Sequence, residues 1–143
     1  MTLSSTLAVL KDMPMFRGLD ERRLRVIAMT GEVLAVRSGE RLWEKGDDGD
    51  TVIIVLDGEA SVLVPTTGGE AAVAVLGAGQ IIGEMAVLTG SPRSTAIAAQ
   101  SDLRILRLDG RIVLDLLREF PDLAIEFIRV LAQRLEATNA KAV

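Results

Sequence analysis

Polar and apolar positions change period twice along the chain. From residue 20 to about 31, Leu24, Ile27 and Ala28 recur at the i, i+3, i+4 spacing of one helix face. Asp20 stands where a capping side chain belongs, and Glu21 places a carboxylate in the first turn, where the helix dipole favours it. Pro14 and Gly18 break the segment before it, so residues 1–31 read as short helices. The period then shortens. Apolar runs at 32–36, 41–43, 51–57, 59–64, 71–76, 80–82, 94–99 and 103–108 are separated by turn residues, and each predicts a short strand. Gly46-Asp47-Asp48-Gly49-Asp50 and Thr66-Thr67-Gly68-Gly69 read as turns, and Asp57-Gly58 as a two-residue hairpin signal. Ten of the 13 glycines lie between Gly39 and Gly90, inside this region. Eight short strands so spaced predict a double-sheet jelly roll or a small barrel. From residue 110 the helical period returns, with Ile112, Val113, Leu116, Leu117 and Phe120 on one stripe. Pro121 ends that helix and can open the next.

The last helix carries more apolar surface than one core requires. Its polar residues Glu126, Arg129, Gln133 and Glu136 project into an arc of about 80°. Leu123, Phe127, Val130 and Leu131 form one apolar flank, and Ala124, Ile128, Ala132 and Leu135 a second. A second subunit, a ligand or another partner would cover the excess. Arg134 projects onto the apolar side, either as a snorkelling side chain or as a contact to a ligand or a dimer mate.

Composition narrows the chemistry. The 143 residues suit one domain, and there is neither cysteine nor histidine. Disulfides, thiol catalysis, a Ser-His-Asp triad and His- or thiolate-ligated metals are therefore excluded. Sixteen basic against 20 acidic residues give a net charge of −4. No basic run is long enough for a nucleic-acid footprint; the tightest cluster, Arg22, Arg23 and Arg25, reads as a solvated helix face. The longest charge-free stretch, 71–83, has 13 residues and is too short to span a bilayer. No signal peptide is legible, and a cytoplasmic protein without membrane contact is the expectation.

Residues 82–96 stand apart. A strand ends at Ile82, and Gly83 lets the backbone turn and lie close to a ligand. Glu84 to Leu88 can form one helical turn, whose first amides lack internal partners and suit an anion. Gly90 and Pro92 turn the chain back to Arg93, a permanent cation able to hold a phosphate by two parallel hydrogen bonds. Glu84 is an acceptor suited to a ribose hydroxyl. The plainer reading makes Glu84 and Arg93 an ion pair across a loop, and the glycines ordinary turn residues.

Gly83-Glu84-Met85-Ala86, six residues, then Arg93-Ser94-Thr95-Ala96 resembles the phosphate-binding cassette of the cyclic nucleotide-binding domain family. The pattern Gly39, Leu42, Gly46, Asp47, Asp50, Val55, Gly58 and Ala60 is similar to that family's structural glycine pattern. The resemblance implies an α+β fold: an eight-stranded antiparallel β-roll, a double-stranded jelly roll, flanked by short N-terminal helices and two C-terminal helices. It divides a single domain, 1–143, into a helical segment 1–31, a β-roll 32–109 with its cassette at 82–96, and lid or dimer helices 110–143.

Site roles follow from the same resemblance. Glu84 would bind the ribose 2′-hydroxyl and Arg93 the cyclic phosphate. The amides of Met85 and Ala86 would add hydrogen bonds, Ser94 would meet phosphate or base, and Thr95 belongs to the same motif. Gly83 would permit the close approach, with Val73, Ile81 and Ile82 on the apolar side. The stretch Ala132-Gln133-Arg134-Leu135-Glu136-Ala137-Thr138-Asn139 is similar to the dimer helix of catabolite-activator-like regulators. There Thr138 would read the adenine and Asn139 would reach the opposite subunit's ligand.

The implied function is a regulatory sensor, not an enzyme, that binds cAMP and moves its C-terminal helices, with a homodimer through the last helix. It needs no cofactor, and this chain would make no nucleic-acid contact of its own. Ser94 keeps a cGMP sensor open. Other readings are the effector domain of a regulator whose DNA-binding domain is absent here, and a dimerisation scaffold that binds nothing. A cupin-type enzyme ranks last, since its metal would need histidines.

Overall fold

Helix formation at the N-terminus is set by caps. The computed structural model describes residues 2–142; the side chains of Thr138, Ala140, Lys141 and Ala142 lie outside the described residues. The Thr2 hydroxyl accepts from the Ser5 amide while Ser5 Oγ accepts from the Thr2 amide, a reciprocal capping box that opens α1 (Leu3–Asp12). A single 3₁₀ turn, Pro14–Phe16, follows and buries Met15 and Phe16. Asp20 caps α2 (Glu21–Thr30), accepting from the Arg23 amide at 2.9 Å, and the helix buries Leu24, Ile27 and Ala28. Asp20→Ala should remove about 1 kcal/mol of stability in urea unfolding, and Asp20→Asn should retain most of it. Arg23 is no mere solvated charge: its guanidinium lies 4.6 Å from the centre of the Phe120 ring.

Eight strands form two four-stranded sheets in which every neighbouring pair is antiparallel. They are β1 (Glu32–Val36), β2 (Arg41–Trp43), β3 (Thr51–Asp57), β4 (Ala60–Thr66), β5 (Gly69–Leu76), β6 (Ile81–Ile82), β7 (Ala96–Ala99) and β8 (Leu103–Asp109). One sheet runs β1-β8-β3-β6 and the other β2-β7-β4-β5. The unbroken apolar run 52–56 is explained by β3, which is covered on both faces. Val52, Ile54 and Leu56 join the cluster beneath the helices, while Ile53 and Val55 face into the roll. An alternating apolar and polar pattern would leave one of those faces wet.

The turn at Asp57-Gly58 differs from the sequence expectation. The chain does bend there, with Gly58 at φ +87°, but β3 and β4 belong to different sheets and do not pair. The signal reads a local dihedral preference and carries no information about the partner strand. The true hairpin joins β4 to β5, where Thr66 pairs with Gly69 and Thr67-Gly68 forms the loop.

Asp109 caps α4 (Gly110–Glu119), accepting from the Arg111 amide at 2.8 Å. The last helix, α5 (Pro121–Ala142), buries Leu123 and Phe127 against the helical cluster, with Val130 and Leu131 packed beside them. On the other flank Ile125, Ile128 and Leu135 remain 48%, 62% and 62% exposed. The expected excess of apolar surface on this helix is present and uncovered.

Candidate functional site

The site is built where β6 runs into a short helix. Gly83 takes φ +89° after Ile82, and a Cβ placed there would lie 2.5 Å from Arg93 Nη1 and 2.8 Å from the Trp43 ring. A side chain at 83 would thus be strained and obstructed at once. The next residue, Glu84, opens α3 (Glu84–Thr89), which ends at Gly90. The loop beyond is tied to the 46–50 turn by two backbone bonds of 2.8 Å: the Gly46 amide donates to Arg93 O, and the Arg93 amide to Asp47 O.

Those ties drive the Arg93 side chain inward, where it is 4% exposed. Nη1 donates to Gly83 O at 3.1 Å, and Nη2 to Thr51 O at 2.8 Å and Thr51 Oγ1 at 3.0 Å. The guanidinium lies 3.7 Å from the centre of the Trp43 ring, a cation–π contact. Its Nε is buried without a hydrogen-bond partner among the described residues. Burial pulls the Arg93 pKa below its ordinary value, and the carboxylates of Asp50, Asp47 and Glu84 oppose that pull. The guanidinium stays protonated at any workable pH.

Glu84 and Arg93 are not an ion pair. Glu84 is 7% exposed, and its Oε1 accepts from Arg134 Nη1 at 2.7 Å; Arg134 Nη2 also donates to Ile81 O at 3.2 Å. Arg134 therefore bridges α5 to the junction of β6 and α3 rather than snorkelling to solvent.

A cleft of about 180 Å³ opens over these groups. Ile81, Ile82, Gly83, Glu84, Met85, Ala86, Arg93, Ser94, Thr95 and Arg134 line it, so most of the expected site residues come together. Met85 is 56% exposed at the rim. Val73 stands elsewhere, 60% exposed and outside the lining. In the register of β4 and β5, Val62 pairs with Ala74 and Leu63 with Ala72, so Val73 is the extra residue of a bulge. The bulge shifts the inward and outward alternation of β5 at this point, so the position that the resemblance implied for Val73 is not the one it takes. Leu76 and Val62 line the apolar wall instead. Asn139 is exposed and does not line the cleft, and the side chain of Thr138 lies outside the described residues.

Two residues that hold the site gave little sign of it. Trp43 could have been marked as the only tryptophan in the chain. Thr51 carried no signal, because its role depends on its carbonyl and hydroxyl meeting a residue 42 positions away.

The arrangement offers a buried cation with an unpartnered N–H, a buried carboxylate, and apolar walls. No group of His, Cys, Asp and Glu among the described residues could hold a metal ion. No helix there is long and apolar enough to cross a membrane. These features suit binding of a small organic anion that carries hydroxyls.

Comparison with known proteins agrees. The chain is 30% identical to lysophospholipase nte1 of Aspergillus terreus over 105 residues, which is 73% of this chain but 7% of that protein. It superposes on the catabolite activator protein of Thermus thermophilus with a TM-score of 0.80 and 28% identity, covering 90% of this chain and 61% of the other. The regulatory domain of Toxoplasma gondii protein kinase A, co-crystallised with cAMP, gives a TM-score of 0.69 and 27% identity over 76% of this chain and 42% of the other. The chain thus spans a small part of the enzyme it matches and under two thirds of the activator. Residues 33–120 match the family model for the cyclic nucleotide-binding domain, and with the two four-stranded sheets flanked by helices at both ends, the chain belongs to that family.

Proposed function

We propose that the cleft binds a cyclic nucleotide, cAMP in first place, and that occupancy is passed to α5 through Glu84 and Arg134. The carrying observation is the buried Arg93 with an unpartnered Nε beside a carboxylate already held by the last helix. Arg93 would take the cyclic phosphate, helped by the amides of Met85 and Ala86 and by Ser94, with Thr95 in the same loop. Glu84 would take the ribose hydroxyl, Gly83 admits the close approach, and Ile82 supports the apolar side. Thr138 and Asn139 would serve the base and a partner subunit. A nucleotide can move α5 only if it interacts differently with the two positions of that helix. The Glu84–Arg134 contact supplies such a difference, because the ribose and the guanidinium seek the same carboxylate.

The module is read as one non-enzymatic sensor domain over 1–143, cytoplasmic, without membrane or direct nucleic-acid contacts. A homodimer would cover the exposed Ile125, Ile128 and Leu135. Ser94, exposed beside Arg93, makes cGMP the second ligand to test.

Calorimetric titration of this chain with cAMP and with cGMP decides the reading. Heat and saturation with either nucleotide support it, and their ratio assigns the base. Absence of binding to both on folded protein would leave the dimerisation scaffold, which the uncovered flank of α5 favours. Glu84→Gln keeps the shape but replaces a charged acceptor by a neutral one. It should weaken nucleotide binding by about tenfold, near 1.4 kcal/mol, in the same titration.

A further inference from the structure

We infer that Trp43 is a positioning residue for the cation of the cleft. Its ring fixes the plane of the Arg93 guanidinium without neutralising it, and so sustains the cleft's hold on an anionic ligand. The inference rests on Arg93 being the phosphate-binding residue.

An irregularity in β2 aims the ring. Arg41 pairs with Ala98 and Trp43 with Ile97, so Leu42 is the extra residue of a bulge. In a regular strand, consecutive side chains take opposite faces. Here Leu42 and Trp43 both pack against the cluster inside the roll, to which Ile97 belongs. Trp43 and Ile97 then line the ligand cleft together. No other aromatic residue lines it among the described residues, and the chain has no second tryptophan. Gly83 leaves the room that the ring needs, since a Cβ there would lie 2.8 Å from Trp43 Cη2.

The hydrogen bonds of Arg93 to Gly83 O, Thr51 O and Thr51 Oγ1 hold the guanidinium by its N–H edge. Such bonds lie near the guanidinium plane and leave its two faces to packing. Trp43 covers one face, with its ring centre 3.7 Å from Cζ. A π face attracts a cation through its quadrupole, and more strongly where water is scarce. At 4% exposure the guanidinium has lost most of its hydration, and the ring makes up part of that loss. The ring has no formal charge and takes up no N–H donor. A carboxylate in its place would bind the same donors that a phosphate needs. The plainer reading makes Trp43 a core side chain that fills one end of the roll. The two readings part on what the side chain must be: filling requires volume, whereas holding a cation requires a π face.

The test uses the full chain with Trp43→Phe and Trp43→Leu. Both variants remove part of the indole volume, and both should melt below the wild type. In cAMP titrations Trp43→Leu should bind about five- to thirtyfold more weakly than the wild type. Trp43→Phe keeps a ring face and should stay within about threefold of the wild type. Equal affinities in the two folded variants overturn the inference, because lost volume alone would then account for both.

A second arm needs no nucleotide. Trp43→Leu should lower the melting temperature of the wild type, and lower it less in an Arg93→Met background, where no cation faces the ring. Equal shifts in the two backgrounds remove the positioning role outright. Coupling in this cycle, joined to a wild type that binds neither cAMP nor cGMP, would overturn the ligand reading and the positioning role with it, while the contact of ring and guanidinium would stand.

Discussion

Arg93→Ala should lose cAMP binding by about thirty- to several-thousand-fold, roughly 2–5 kcal/mol, in calorimetric titration against the wild type. The magnitude follows from burial. At 4% exposure the guanidinium has few waters to replace it, so a phosphate placed against it loses both the charge and the directed N–H donors. The substitution also leaves Thr51 O and Gly83 O without their donor and opens space beside Trp43. Folding must therefore be checked alongside binding, and the lone tryptophan makes near-ultraviolet dichroism a direct reporter of this corner. Arg93→Lys separates charge from geometry. It keeps the cation but has no planar fork to bridge Thr51 and Gly83, and should bind between the wild type and Arg93→Ala. Wild-type affinity in a folded Arg93→Ala protein would remove this residue from the site.

Much of this site was legible because its chemistry is local. Gly83, Glu84 and Arg93 lie within 11 consecutive residues, and one turn of helix between two glycines suffices to bring them to one cleft. The roll was legible for a similar reason: β1, β2 and β3 coincide with expected runs because turn residues bound them on both sides. What escaped was set by tertiary partners. The strand expected from Ser94 begins only at Ala96, because the backbone of Arg93 is bonded to Asp47 instead of extending the ladder. Val73 was displaced by a bulge, which adds a residue without altering composition or hydrophobicity. Arg134 could be placed on the apolar side of α5, but its partner Glu84 is 50 residues away, a pairing no periodicity reports. The Asp57-Gly58 bend was visible, whereas its crossing between sheets depends on β3 occupying a place between β8 and β6.

The two glycines that bracket α3 offer the sharpest separation of strain from crowding. Gly83 and Gly90 both adopt positive φ, +89° and +71°, so alanine at either should lose about 1 kcal/mol for the left-handed backbone. Their surroundings differ. A Cβ at 90 meets nothing within 4 Å, whereas one at 83 meets Arg93 Nη1 at 2.5 Å, the Trp43 ring at 2.8 Å and Thr51 O at 3.2 Å. The ring is stiff and the backbone oxygen is fixed in β3, so the guanidinium must yield. It cannot do so without stretching its bonds to Gly83 O and Thr51 O. Gly90→Ala should therefore unfold in urea about 1 kcal/mol earlier and bind cAMP normally. Gly83→Ala should lose about 2–4 kcal/mol, because overpacking adds to the backbone term. Its cAMP affinity should also fall by at least about tenfold, since the displaced residue is the one proposed to meet the phosphate. Equal losses of stability in the two variants would show that backbone strain alone governs both positions. Normal binding by Gly83→Ala would show that the guanidinium has room to move without leaving the ligand.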